Sequence, residues 1–377
     1  MEEWRLVDLG LAEPLMAQTF YEAVAIAVDK GISPNTLILV QPSKPYVCIG
    51  YHQELEKEID LDYCRRRGLP VIRRGQGGGA VYLDSNQLFY QVVASERSEV
   101  VPVKVDALFE KILRATVEAY RRLGVEAEFK PLNDVVVKNK KISGNGAGRQ
   151  GSAIILVGNL ILDVDYDSMA AVLKVPSEKF RDKMARSMRE WITSLKKELG
   201  YVPPLDEVKK VFIEAFQQVL NVELKPGQPS DEEVKIWREE VEPRHLSHEW
   251  LYMPELHHPD LAGRRSVRIA DGVKVAEAVH KAKKLIRVTA ELIGDRLVDV
   301  MLSGDFFMIP SSVHRKIELA LRGARLNRDE LLNRVREVYQ ETRAETPGLL
   351  PEDIVEALMK LEAFIEKYPP GTHPYVE

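Results

Sequence analysis

Two glycine-rich clusters, each beside cationic side chains, are the parts of this sequence best suited to chemistry. The first is Arg73-Arg74-Gly75-Gln76-Gly77-Gly78-Gly79-Ala80-Val81-Tyr82. Glycines without Cβ atoms let backbone N–H groups approach a ligand closely and adopt positive φ. Such a nest of amides suits phosphate or carboxylate oxygens, and two forked arginine donors suit the same anions. The second cluster is Lys140-Lys141-Ile142-Ser143-Gly144-Asn145-Gly146-Ala147-Gly148-Arg149, preceded by Asn133-Asp134. A lysine at a strand–loop junction reaches into a site as a mobile positive charge. An Asn-Asp pair beside it suits a magnesium ion or a phosphate. Each cluster alone also reads as a glycine-rich surface connection with solvated cations. Two of them in one mixed domain, each after a short apolar strand, shift the balance toward a site for anions.

Familiar phosphate motifs do not account for the first cluster. Gly75, Gly77 and Ala80 satisfy the dinucleotide-fold spacing, but that fingerprint needs a helix next, and Ala80 to Leu83 is strand-like. A phosphate loop ending in Gly-Lys-Ser/Thr is absent.

The elements that must position these clusters are predicted as follows. A helix covers 13–29 and stops at Lys30-Gly31. Short buried strands cover 37–40 and 46–49, a polar helix covers 54–67, and strands cover 71–72, 80–82 and 88–93. A helix over 101–123 is stopped by Gly124, and strands follow at 134–137, 152–157 and 160–164. The second glycine cluster between them reads as a loop. From 166 to 250 the pattern is mostly helical. A proline-broken connector covers 253–265, then a hairpin turns at Gly294-Asp295, and helices cover 311–322, 327–343 and 351–366. Two domains are expected, 1–258 and 259–377.

Bulk properties narrow the class. A length of 377 residues exceeds what one core usually serves. A net charge of −5 gives no broad surface for nucleic acid or membrane, so neither is expected as a partner. No apolar run approaches the ~20 residues needed to span a bilayer. The acidic N-terminus does not read as a signal peptide, and two cysteines make no disulfide framework. A cytoplasmic protein is the expectation. Cys48 reads as a buried structural thiol and Cys64 as a surface helix position. His245, His248, His257 and His258 lack ligand spacing and read as solvated linker side chains. The basic run Lys281, Lys283 and Lys284 reads as a solvated face that could meet an acidic carrier.

Taken together, these residues resemble the lipoate–protein ligase family. Its Arg-Arg-x-Ser-Gly-Gly-Gly-Ala-Val-Tyr-His-Asp segment is similar to Arg73 through Asp84 here. Its Asn-Asp followed by Lys-Ile/Val-Ser-Gly-Ser-Ala is similar to Asn133-Asp134 with Lys141 to Asn145. Its His-Gly-Thr-Leu-Leu-Leu strand is similar to Val157 through Leu162, and Ser187 to Leu195 resembles a later segment. The pattern departs at Gln76, at Leu83, at Val157 and in a shorter Asp84-Ser85-Asn86 turn, which touches substrate preference. The hairpin ending in Phe306-Phe307 resembles that of the family's accessory domain.

The resemblance implies an α+β architecture: a mixed-sheet catalytic domain of the biotin/lipoate-ligase kind, plus a small α/β C-terminal accessory domain. It implies ATP-dependent attachment of lipoate to a carrier lysine through a lipoyl-adenylate, with ATP and Mg2+ as cofactors and lipoate as substrate. Lys141 would be catalytic, between the carboxyl and the α-phosphate. Arg74, Gly77, Gly78, Gly79, Ala80, Val81, Tyr82, Asn133 and Asp134 would bind ATP and the adenylate, with Asp134 near magnesium. The acceptor would be a lipoyl-domain or glycine-cleavage-type carrier protein. Two other readings stay open. One is an octanoyl or lipoyl transferase between carriers, normally using a cysteine nucleophile and no ATP. The other is a non-catalytic module binding lipoyl carriers.

Overall fold

The computed structural model describes residues 1–254, 266–270 and 273–365. The chain divides into two compact units, Met1–Met253 with Ile309–Ser311, and the remainder. The domain boundary expected at 258/259, with His257 and His258, lies outside the described residues.

The first unit is built on an eight-stranded mixed sheet. Its strands are β1 (Glu2–Ala12), β2 (Thr36–Pro42), β6 (Gln87–Ser95), β7 (Glu128–Lys130), β8 (Asp134–Val137), β9 (Lys140–Gln150), β10 (Ala153–Ile161) and β11 (Val222–Gly227), in the order β11-β1-β2-β6-β10-β9-β8-β7. β1 runs parallel to β11 and β2, and the other pairs are antiparallel. A second sheet has the order β4-β3-β5, from β3 (Tyr46–Ile49), β4 (Val71–Arg73) and β5 (Val81–Leu83).

Among the longer helices, α1 (Pro14–Asp29) is buried almost all round and covers one face of the large sheet through Phe20, Val24 and Val28. Helices α2 (Val105–Arg122) and α4 (Leu205–Leu220) cover the other face, α2 through a stripe of Leu108, Phe109, Ile112 and Leu113 at helical spacing. Helix α3 (Glu178–Trp191) leads into a segment that pairs beside Lys141.

The second unit carries a four-stranded antiparallel sheet of β12 (Ser266–Ala270), β13 (Val273–Lys281), β14 (Leu285–Ile293) and β15 (Arg296–Gly304). Its core packs Val288, Ala290 and Leu302 with Ile317, Leu331 and Ile354 from α5 (Val313–Leu321), α6 (Arg328–Thr342) and α7 (Pro351–Met359). In the basic run, Lys281 pairs with Asp305 at 3.6 Å and Lys284 lies 5.0 Å from the Phe307 ring centre. Among the described residues no helix is long and apolar enough to cross a membrane.

The α+β architecture holds, with local differences: β1, β7 and β13 have no expected counterpart, and β11 interrupts a stretch expected to be mostly helical. The second glycine cluster is strand β9, not a loop. The strands expected at 152–157 and 160–164 are one strand, β10. The helix expected over 54–67 breaks at Ile59, where a β-bridge to Leu173 interrupts it.

Candidate active site

The first glycine cluster joins β4 to β5, as the strand-like Ala80-Val81-Tyr82 foretold. Its course is fixed from below. The Gly78 carbonyl lies where a Cβ on Gly50 would sit, 1.9 Å away, so only glycine fits at 50. Gly78 itself has φ +94°, in the region that favours glycine. Gly77 and Gly78 are buried, Gly79 and Ala80 half-buried, Val81 exposed and Tyr82 buried.

The two motif arginines differ in role. Arg73 is fully buried and donates to five carbonyl oxygens: those of Gly50, Tyr51 and Gln53 (2.8–2.9 Å), Leu251 (2.9 Å) and Met253. Burial pulls this guanidinium down to about 9, which leaves it protonated at neutral pH. Arg73 is therefore a scaffold for the glycine loop rather than a free donor for a ligand. Arg74 is half-buried. It donates to Gly77 O (2.7 Å) and Gly79 O (2.9 Å), and one terminal nitrogen lies 3.6 Å from Cys48 Sγ. It braces the loop and lies beside it.

The second cluster follows a tight β8–β9 turn in which Lys138 (φ 48°) and Asn139 (φ 66°) both adopt left-handed backbone. Lys141, second residue of β9, pairs through Nζ with Asp134 Oδ1 at 2.6 Å. Its side chain lies over Gly144, where an added Cβ would come 3.0 Å from Lys141 Cε. Behind it, Thr193 N donates to Lys141 O at 2.8 Å, so the segment after α3 supports this lysine. Asn133 uses one of its amide hydrogens inside the protein. Its Nδ2 donates to Asn145 O (2.5 Å), and Asn145 Nδ2 returns a bond to Asn133 O (3.0 Å).

Interior glycines weaken a strand unless something must come close, and here something does. A chain of contacts links the two clusters. Gly144 N donates to Asn159 Oδ1 (2.8 Å), Asn159 Nδ2 to Gln87 Oε1 (2.7 Å), and Gln87 Nε2 to Tyr82 O (3.4 Å). On the other side, Gln76 of the first cluster packs on Gly148 of the second. Lys141, Asp134, Gly77–Gly79 and Tyr82 thus belong to one neighbourhood.

A buried polar network under the loop was not evident from sequence. Tyr21 Oη donates to Gln76 Oε1 at 2.5 Å and lies 3.1 Å from Glu22 Oε1. Glu22 pairs with Arg244 and with His245 Nε2 (3.1 Å), and His245 Nδ1 meets Arg73 O (2.9 Å). Burial pushes the Glu22 carboxyl up, but His245 and Arg244 outweigh it and hold it below the usual carboxylate range. His245 is therefore not a solvated linker histidine: it is 4% exposed. His248 is exposed and stacks on Tyr252.

Both cysteines are buried. Cys48 meets the expectation. Cys64 does not, because its side of the helix Leu61–Arg67 faces Val47, Ile49 and Leu55. Burial pushes both thiols up, Cys64 to about 11, although Arg74 and Arg73 partly offset this at Cys48. Neither is poised as a thiolate. Among the described residues, no three His, Cys, Asp or Glu side chains gather as metal ligands. Asp134, already facing an ammonium, forms no protein cage for magnesium.

Comparison with known proteins agrees with this geometry. Residues 13–217 match the lipoyl protein ligase A/B catalytic domain. An octanoyltransferase LipM of Kyrpidia tusciae is 31% identical over 67% of this chain and 99% of its own length. Lipoate-protein ligase A subunit 1 of Thermoplasma acidophilum is 33% identical over 54% of this chain and 79% of its own. A solved structure from work on the bi-partite lipoate protein ligase of that organism and its E2 lipoyl domain superposes with a TM-score of 0.61 at 32% identity, over 67% of this chain and 97% of that one. The Plasmodium falciparum LipL1 structure covers 95% of this chain and 99% of its own with a TM-score of 0.66; at 11% identity it shows a shared fold alone. Proteins named octanoyltransferase and proteins named lipoate-protein ligase are thus both similar to this chain. This chain belongs to the lipoyl protein ligase A/B catalytic domain family.

Proposed function

We propose that this protein moves an octanoyl- or lipoyl-type acyl group from an acylated carrier onto a lysine of a lipoyl-domain-like carrier. The observation that carries this reading is the Lys141 ammonium, held by Asp134 over the bare backbone of Gly144. A fixed cation there meets the negative charge that grows on an acyl oxygen when an amine attacks. In the reaction the neutral amine of the acceptor lysine attacks the thioester carbonyl. A C–N bond forms, the C–S bond breaks, and the leaving thiolate takes the proton the amine gives up. The relatives named octanoyltransferases, matched over nearly their whole length, support transfer.

A second reading, ATP-dependent ligation, is favoured by one observation: neither thiol is accessible or acidic enough to carry an acyl-enzyme. There the carboxylate would be activated as an acyl-adenylate with AMP as the later leaving group, and Arg74 and the amides of Gly77–Gly79 would hold the phosphates. Magnesium would arrive with those phosphates, and no step here is assigned to it.

The test is the intact mass of a lipoyl-domain acceptor in two mixtures, octanoylated donor carrier without ATP, and octanoate or lipoate with ATP and magnesium. Acylation in the first supports transfer. Acylation only in the second replaces transfer by ligation. In either case Lys141→Ala should lower the rate at least ~100-fold, and Cys48→Ser and Cys64→Ser should stay within a few-fold of the parent. Loss of activity in a serine variant that folds normally would restore a thiol intermediate. No acylation in either mixture would refute both routes.

A further inference from the structure

Strand β9 presents no side chain to the α1 side of the sheet between Lys141 and Gln150. Residues pairing across a sheet share a face, and one such row runs Ile38, Gln91, Val157, Gly146. The next runs through Ile155 and Gly148. Ile38, Val157 and Ile155 pack with α1, so Gly144, Gly146 and Gly148 all face that side with bare backbone. Four steps of about 3.4 Å, from Gly144 to Gly148, make this strip about 14 Å long. Lys141 covers its Gly144 end, and Gln76 covers its Gly148 end: a Cβ on Gly148 would lie 3.3 Å from Gln76 Nε2.

Two buried glutamines, Gln91 and Gln76, stand on the same side of the sheet as the strip. Gln91 lies in the same row as Gly146, two strands away with Val157 between them; it is 2% exposed and donates Nε2 to Ala17 O at 2.7 Å. Its Oε1 has no hydrogen-bond partner, which buried polar atoms rarely tolerate where the chain fills its own interior. Gln76 stands where the family motif described above carries a serine. It is 4% exposed; Tyr21 Oη donates to its Oε1 and restrains the side chain, while Tyr51 N donates to its backbone carbonyl (2.9 Å) and fixes the loop.

We infer that Gln76 is the end stop of an acyl-chain slot floored by Gly144, Gly146 and Gly148, and that it selects the slim octanoyl chain over the lipoyl chain. An extended eight-carbon chain, seven bonds of about 1.5 Å in zigzag, is about 9 Å long and fits the strip with its carbonyl end toward Lys141. Octanoyl and lipoyl groups have the same number of carbons. They differ at the far end, where two sulfurs close a five-membered ring. That wider end meets the Gln76 amide. Discrimination of a group of this size by pocket shape is worth about ten-fold or more. The inference deepens the proposed acyl-carrier activity and rests on it for the direction of the chain.

The test separates the stop from the activity by reading binding as well as turnover. Octanoic and lipoic acids are titrated into the full chain by calorimetry, and octanoyl and lipoyl donors compete for one acceptor read by intact mass. The parent should favour octanoyl. Gln76→Ser should shift the lipoyl-to-octanoyl ratio at least ten-fold toward lipoyl in both readouts. Tyr21→Phe, which removes the hydroxyl restraining the amide, should shift it the same way by less. A ratio within two-fold of the parent in a normally folded Gln76→Ser protein would overturn the stop. So would binding of neither acid by the parent. A shifted binding ratio without any transfer would leave the stop standing and defeat the proposed activity instead.

Discussion

Replacing Arg73 separates a scaffold from a ligand-binding side chain, because the two roles predict opposite signatures. Its fork reaches five carbonyls on two separate segments, 50–53 and 251–253. Two of these bonds, to Gly50 O and Gln53 O, are fully buried. Removing the donor leaves those oxygens unpaired, at about 1–3 kcal/mol each. The other three are only partly buried, so water can replace much of what they lose. Arg73→Ala should therefore destabilise the first unit by about 4 kcal/mol. Arg73→Lys, with three donors on one nitrogen, should cost about 2 kcal/mol. Urea unfolding followed by circular dichroism measures both. At a temperature where the variants remain folded, substrate KM should change less than stability does. A variant within about 1 kcal/mol of the parent, but with KM raised ten-fold or more, would refute the scaffold assignment and return Arg73 to anion binding.

Two more outcomes follow from the buried contacts. A Cβ at Gly158 would lie 2.0 Å from Asn145 Oδ1 and 2.5 Å from Tyr90 Oη, both on buried side chains bonded to each other. Gly158→Ala should cost about 3 kcal/mol through overpacking and loss of that bond, and a thermal midpoint unchanged within error would contradict the packing described. Glu22 is depressed below its ordinary 4.5, so its contribution is present above about pH 4.5 and is lost as pH falls through the lower folded value. The urea-midpoint gap between parent and Glu22→Gln should be full near neutral pH and shrink in acid. A gap that widens in acid would contradict the pairing with Arg244 and His245.

Much of the site was legible from residue order because glycine and charge report on local backbone. Gly77-Gly78-Gly79 after two arginines, followed by the β-prone Val81-Tyr82, specifies a strand–loop–strand without any tertiary knowledge. Helix α1 was legible for the same reason: its apolar spacing and its Lys30-Gly31 stop are local signals. Tertiary structure alone decided which glycines are strand. Nothing in Gly144-Asn145-Gly146-Ala147-Gly148 favours β-structure, and β9 forms because β8 and β10 flank it and Gln76 and Lys141 need the space left by missing side chains. The two arginines are adjacent in sequence, yet Arg73 at the end of β4 is buried and met by carbonyls of 50–53 and 251–253, whereas Arg74, just past the strand, lies beside the loop. Cys64 and His245 look solvated along the chain but are buried, because their partners lie in distant segments and burial is set by what folds over a residue. Local chemistry can be read along a chain, whereas partners far apart in sequence exist only once the sheet has formed.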